Sequence, residues 1–378
     1  MFEKDIHMVD LRGQYLRLKE DIDSAIQEVI DTNAFINGPQ VKTFAHNLAN
    51  FLDIPYVIPC ANGTDAIQIA YMALELKPGD EIIIPAFNYI AAAEAAALLG
   101  LIPVFVDVDS YTYNIDNIQT IEDAVTNRTK AIVAVHLFGQ CCDMEGIMRI
   151  ADKYNLYVVE DNAQSIGAVY SFSSGKTQQA GTIGHIGTTS FFPSKPLACY
   201  GDGGAIVTCD PELAERVHLI ANHGQERKYC HKLIGCNSRL DTIQAAILNI
   251  KLKHLHQFNR SRIEAAVYYN EKLTSIPQLK IPVNAPFSSH VYHQYTIQVE
   301  AEKRNKLQAY LKEQGIPSMI YYPTPLHQQE AFRSNARRSG DLHNASELTE
   351  KVLSIPIHTE MNTGIQDYII EHLGRFFW

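Results

Sequence analysis

Leu156-Tyr157-Val158-Val159-Glu160-Asp161-Asn162-Ala163-Gln164 is the stretch on which the reading of the fold turns. An apolar run with no polar alternation leads straight into two acids. Such a strand is covered on both faces, the condition of a largely parallel sheet flanked by helices. Acids inside that sheet are costly unless paired or hydrogen-bonded. They therefore mark its carboxyl edge, where open α/β sheets gather their ligands. The pattern repeats outward. Residues 56–59, 81–85, 102–106, 131–135, 188–192 and 205–208 read as further buried strands, separated by helical patterns between about 41 and 210.

The chain thus reads as α/β, with a mostly parallel central sheet in a large domain (1–250) and a smaller α+β domain (251–378). A connecting helix over about 241–269 joins them and breaks near Ile276-Pro277. Residues 16–31 form an amphipathic helix, and Gly38-Pro39 closes that first unit. In the second domain a strand falls near 292–299, with helices near 304–314 and 365–373. The longest apolar stretch, 89–106, is interrupted by Glu94, Gly100 and Pro103 and reads as a buried helix followed by a strand, not a membrane span.

Composition narrows the function. Among 378 residues, 32 basic against 42 acidic side chains give a net charge of −10, which argues against general attraction to nucleic acid or anionic membrane. With 46% hydrophobic and 20% charged residues the chain is ordinary for a globular protein. The seven cysteines are odd in number and form no Cys-x-x-Cys pair, so neither a disulfide framework nor a thiol-rich zinc site is indicated. The N-terminus shows no basic segment followed by an apolar run, and the cytoplasm is the expected compartment.

Four strand ends carry chemistry. Asn62-Gly63-Thr64-Asp65 follows a strand and opens a helix. Gly63 permits close backbone approach, Thr64 brings a hydroxyl, and the first-turn amides suit a phosphate; plain capping by Thr64 or Asp65 is the competing reading. Asp161 can hold a protonated heterocyclic nitrogen with Gln164 on an adjacent ring oxygen, or simply cap a helix. Lys195, in Pro193-Ser194-Lys195-Pro196 before a glycine-rich return, is either a lysine of lowered pKa able to form a Schiff base or a solvated loop lysine. Tyr89 can stack on a flat ring or pack in the core. Taken together, a lysine, an acid, a phosphate cradle and a stacking aromatic fit pyridoxal 5′-phosphate. His185 lacks partners at metal-ligand spacing, and no metal is expected; Cys141-Cys142 read as packed.

Gly63-Thr64-Asp65-Ala66, Glu160-Asp161-Asn162-Ala163-Gln164, Ser190-Phe191-Phe192-Pro193-Ser194-Lys195 and Asn237-Ser238-Arg239-Leu240-Asp241-Thr242, in that order, resemble the DegT family of nucleotide-sugar aminotransferases. The resemblance spans nearly the whole chain, from Val9-Asp10-Leu11 to Tyr321-Tyr322-Pro323 and His327. It implies the fold type I aminotransferase architecture, a homodimer with shared active sites, and pyridoxal 5′-phosphate as cofactor. By residue it implies Lys195 as the Schiff-base lysine and Asp161 beside the pyridine nitrogen. It further implies Gln164 on the ring hydroxyl, Tyr89 as the stacking aromatic, and Gly63, Thr64, Asp65 and Ser190 around the phosphate. Asn237 is implied as a phosphate contact from the partner subunit, and Arg239, Tyr322 and His327 as candidate substrate contacts. The stretches 193–204 and 223–229 look closest to the branch that aminates UDP-2-acetamido-2-deoxy-3-oxo-glucuronate for surface polysaccharides, with L-glutamate as donor. A 4-keto-6-deoxy or 3-keto-6-deoxy nucleotide sugar is the alternative substrate, and a non-catalytic regulatory relative the alternative of another class. Ala198 stands where the branch usually has Gly and Ala45 where Glu is common; neither touches the chemistry.

Overall fold

The computed structural model describes residues 6–378. Its principal strands are β1 (Tyr56–Cys60), β2 (Glu81–Pro85), β3 (Ile102–Val106), β4 (Thr129–Val135), β5 (Tyr157–Asp161), β6 (Ile186–Ser190), β7 (Gly204–Thr208), β8 (Tyr295–Gln298), β9 (Arg337–Arg338) and β10 (Val352–Ile355). Eight of them form one sheet in the order β1-β7-β6-β5-β4-β2-β3-β9. β7 runs antiparallel to β1 and β6, and every other pairing is parallel. The carboxyl ends of β1, β2, β4, β5 and β6 therefore open on one edge. Residues 82–84, 131–134 and 158–159, the apolar runs of the sequence, are completely buried, as strands covered on both faces must be. The expected α/β architecture is the one observed.

Several boundaries differ from the sequence reading. The strand expected at 188–192 is β6, two residues earlier, leaving Phe191 and Phe192 beyond its end. At Gly187 a Cβ would sit 1.9 Å from the Gly181 carbonyl oxygen, so the strand passes there through a gap that only glycine fits. Gly38-Pro39 does not close a unit: Gly38 caps, and Pro39 begins, the helix Pro39–Leu52, the position where a missing N–H costs nothing. The first helix is likewise two, Leu11–Arg17 and Lys19–Thr32. The single connecting helix expected over 241–269 is also two, Thr242–Leu252 and Leu255–Leu273. A tight turn separates them, with the His254 amide donating to the Lys251 carbonyl at 3.0 Å.

A second core gathers Tyr269, Leu273, Tyr295, Ile297, Leu307, Leu311, Leu353, Ile355 and Ile369 around the antiparallel pair β8 and β10. The C-terminal region nevertheless returns to the first sheet, because β9 adds an edge strand beside Val104 and Phe105. There Arg337 and Arg128 reach the fully buried carboxylate of Glu81 at 3.1 and 2.6 Å. Among the described residues no helix is long and apolar enough to cross a membrane.

Candidate active site

The converging strand ends enclose a cavity of about 600 Å³. After β1, the Asn62 side chain accepts from the Asp65 amide at 2.8 Å and caps the helix Gly63–Ala73. The cap is thus Asn62, not Thr64 or Asp65. Gly63 and Thr64 occupy the first turn, whose amides have no partner within a helix, and both residues line the cavity. The turn packs tightly on the end of β6: a Cβ at Gly63 would lie 2.6 Å from the Ser190 Cβ. Gly63→Val should therefore push the cradle apart. Overpacking of this kind costs about 1–3 kcal/mol, an affinity loss on the order of tenfold. A fluorescence titration of the apoprotein with pyridoxal 5′-phosphate would measure it, with unchanged affinity counting against the cradle.

β5 sends its two acids to opposite faces, as the two-residue period of a strand requires. Glu160 turns inward and accepts from the amides of Gly181, Ile183 and Gly184 at 2.8, 2.6 and 2.5 Å and from His136 Nε2 at 2.8 Å. Its charge is fully engaged. Asp161 turns to the cavity with one oxygen accepting from the Ala163 amide at 3.0 Å. No helix follows it, so the capping reading has nothing to cap. Burial pushes the Asp161 carboxyl above its ordinary range, against the opposing pull of the Ala163 amide, Lys195 and His136. Gln164, also on the wall, accepts from the Phe138 amide at 2.9 Å and donates to the Tyr322 hydroxyl at 3.2 Å.

Past β6, the Lys195 amide closes a turn onto the Phe192 carbonyl at 2.9 Å. The turn, held between Pro193 and Pro196, turns the lysine into the cavity. Burial pushes its amine below the ordinary lysine range, with Asp161 opposing. Tyr89 lies at the mouth, 56% exposed, its ring 6.2 Å from that of Tyr322. Cavity walls thus bring together Gly63, Thr64, Tyr89, Asp161, Gln164, Ser190, Lys195 and Tyr322.

Four other candidates stand apart from it within one chain, Asp65 among them, whose amide serves the Asn62 cap behind the cradle. His327 is buried in a turn, its carbonyl accepting from Arg338 at 2.8 Å. Asn237 is exposed and pairs in a bridge with Asn222, and Arg239 is half-buried on the same loop. Between them Ser238 accepts from the Ala61 amide at 3.1 Å and ties that loop to the cradle. His185 has a structural bond, accepting from the Val158 amide at 3.0 Å. The cavity also includes Asn88, Ser194, Asp202, His293 and Gln294, which sequence reasoning missed. No motif flags His293 or Gln294, because only the tertiary fold brings them beside Lys195.

The donor set suits pyridoxal 5′-phosphate. First-turn amides, which no helix carbonyl engages, match a phosphate together with two hydroxyls. One free carboxylate oxygen matches a protonated ring nitrogen, and an amine without a hydrogen-bond partner among the described residues matches an aldehyde.

The DegT/DnrJ/EryC1/StrS aminotransferase family model matches residues 16–374. A "pleiotropic regulatory protein" of Geobacillus stearothermophilus is 44% identical, covering 99% of each chain. The UDP-2-acetamido-2-deoxy-3-oxo-D-glucuronate aminotransferase of Pseudomonas aeruginosa is 44% identical over 95% of this chain and 97% of its own. Among solved structures, S. venezuelae DesV in complex with a ketimine intermediate superposes with a TM-score of 0.93 at 36% identity, covering 98% of each chain. NtdA from Bacillus subtilis, with its cofactor PMP bound, gives 0.86 at 33% identity over 95% of this chain and 81% of its own.

Proposed function

The chain belongs to the DegT/DnrJ/EryC1/StrS aminotransferase family, and from that premise we propose that it moves an amino group from L-glutamate to the 3-keto group of UDP-2-acetamido-2-deoxy-3-oxo-glucuronate. The observation that carries the reading is Lys195 and Asp161 facing one cavity from the ends of adjacent strands, beside the first-turn amides after β1. When bound, pyridoxal 5′-phosphate supplies the electron sink and the amino-group carrier.

The chain's residues supply the rest. The amides of Gly63 and Thr64, with the Thr64 and Ser190 hydroxyls, hold the phosphate. Asp65 closes that turn by donating its amide to Asn62. Asp161 would keep a proton on the ring nitrogen, Gln164 would orient the ring hydroxyl, and Tyr89 would stack on the ring. Lys195 would hold the cofactor through its amine and, once freed, would take the proton from the donor's α-carbon and keep it on Nζ for return. Its depressed pKa makes the neutral amine accessible for that work.

Charge supports a second chain at the site. Lys195 is the one cation among the described cavity-lining residues, beside two acids, Asp161 and Asp202. A diphosphate, a sugar carboxylate and a dicarboxylate donor need more. Arg239 stands on a loop continuous with the hairpin that exposes Tyr229 and Ile234, and a guanidinium grips a carboxylate bidentately. We place Asn237 and Arg239 over the partner's cofactor and sugar in a homodimer, with Tyr322 lining the sugar site and His327 bracing the segment that carries it.

Two measurements test this. Glutamate and a panel of nucleotide keto-sugars should give turnover best with the 3-oxo-glucuronate, and Arg239→Leu should lose more on it than on a neutral 3-keto-6-deoxy sugar. Preference for the neutral sugar would favour the alternative substrate. Mixing inactive Lys195→Ala with inactive Asn237→Ala/Arg239→Ala in equal amounts should restore one site of the two in each mixed dimer, about one site in four overall, because random exchange makes half of the dimers mixed. No recovery after verified exchange would return both residues to their own chain.

A further inference from the structure

The two ends of the Gln164 amide can be told apart. Its Oε1 accepts from the Phe138 backbone amide at 2.9 Å, a group that only donates, so the nitrogen stands at the other end. That Nε2 donates to the Tyr322 hydroxyl oxygen at 3.2 Å. An amide nitrogen accepts nothing, so the hydroxyl cannot return its own proton to Gln164. Among the described residues that proton has no acceptor. The second N–H of Gln164 and the O–H of Tyr322 therefore stand side by side as unspent donors, on two residues that both line the cavity.

Tyr322 is held in place from two sides. Upstream, Met319 exchanges both backbone hydrogen bonds with Ser354 of β10, at 3.0 and 2.7 Å. Downstream, the Leu326 amide donates to the Ala86 carbonyl just past β2 at 2.8 Å. The ring sits edge-on to Phe87 with centroids 6.0 Å apart. Burial pushes the phenol above its ordinary range; Gln164 opposes this, and the charge of nearby Asp161 adds to it. The hydroxyl thus keeps its proton through neutral pH and acts as a donor, not a base. Its neighbours Gln164 and Asp161 are the two residues assigned above to the cofactor ring.

We propose that the Tyr322 O–H, together with the second N–H of Gln164, donates to the ring oxygen of pyridoxal 5′-phosphate, giving Tyr322 a task at the cofactor in addition to its place beside the sugar. This role rests on the cofactor reading and not on the identity of the sugar. Its consequence has a definite sign. A negatively charged ring oxygen holds a proton on the neighbouring nitrogen, the one supplied by Lys195, more tightly the fewer donors it has. Removing the Tyr322 hydroxyl therefore raises the pH at which that proton leaves.

The experiment reads the cofactor's colour, not turnover. Apoprotein is reconstituted with pyridoxal 5′-phosphate or with its 3-deoxy analogue, which lacks the ring oxygen, and the absorbance of the bound cofactor is titrated with pH. In Tyr322→Phe the midpoint with pyridoxal 5′-phosphate should rise by about one to two pH units, the worth of one hydrogen bond to a charged oxygen. With the 3-deoxy analogue the same substitution should leave the midpoint where it is. Cofactor bound in equal stoichiometry by variant and wild type reports that the variant is folded. An unmoved midpoint with pyridoxal 5′-phosphate, or an equal shift with the analogue, overturns the contact while leaving the wild-type titration, and with it the cofactor reading, intact. Wild-type protein that takes up no cofactor overturns both.

Discussion

Lys195→Ala abolishes turnover: the expected fall is at least about 10³-fold, because positioned proton transfer alone contributes about 10²–10⁴-fold and covalent attachment is lost with it. The fold should survive. Among the described residues the Lys195 side chain makes no hydrogen bond or ion pair whose loss would loosen the turn, which is held by the Lys195 amide on Phe192 and by the flanking prolines. Borohydride treatment of the wild-type protein with pyridoxal 5′-phosphate should leave a pyridoxyl group on the peptide containing Lys195, read by mass spectrometry. Label on another lysine would refute the assignment. The pH dependence follows from burial. The amine attacks only when neutral, and its pKa lies below the ordinary 10.5. Capture should therefore extend to lower pH than an ordinary lysine allows, and slow as pH falls through the depressed value.

Asp161 gives the second large effect, and it has two sides. A charge-assisted hydrogen bond to the ring nitrogen is worth about 1.5–3 kcal/mol, so Asp161→Ala and Asp161→Asn should each lower turnover on the order of 10²-fold, Asn included because it keeps the shape and loses the charge. Stability should move the other way. Burial raises the Asp161 pKa in the folded apoprotein. A raised folded-state pKa favours the fold at low pH, and the benefit is lost as pH rises through it. Near neutral pH the anion is then a cost to the apoprotein, and apo Asp161→Asn should melt at or above the wild-type temperature. The holo variant should melt below holo wild type. Near-normal turnover in Asp161→Asn would remove the residue from the cofactor.

The sheet was legible because its central strands are apolar without alternation, a pattern few other structures produce. β9 was not, since two arginines at a sheet edge carry no strand signal; its place comes from Glu81, more than 250 positions away, which holds Arg337. The break at 253–254 was hidden for a similar reason. Neither Lys253 nor His254 interrupts a helical pattern, and tertiary packing alone turns the chain there. Within the site, residues at strand ends were found because topology gathers them at one edge. His293 and Gln294 come from outside the strands of that sheet, beside β8, and no local pattern separates them from core histidines and glutamines.

The paired acids of β5 have a bearing on how the chain finds its fold. A slip of one residue in a strand exchanges its two faces. Here it would present Glu160 to the cavity and ask Asp161, one methylene shorter, to satisfy the ring of amides at 181–184 and His136. Those donors would be left short while a carboxylate sat unpaired elsewhere. Most buried strands discriminate against misregistry through apolar matching, which tolerates one Val for another. β5 is keyed instead by ionic side chains of unequal length, so the alignment error that would disarm the enzyme is also the one its own interior rejects.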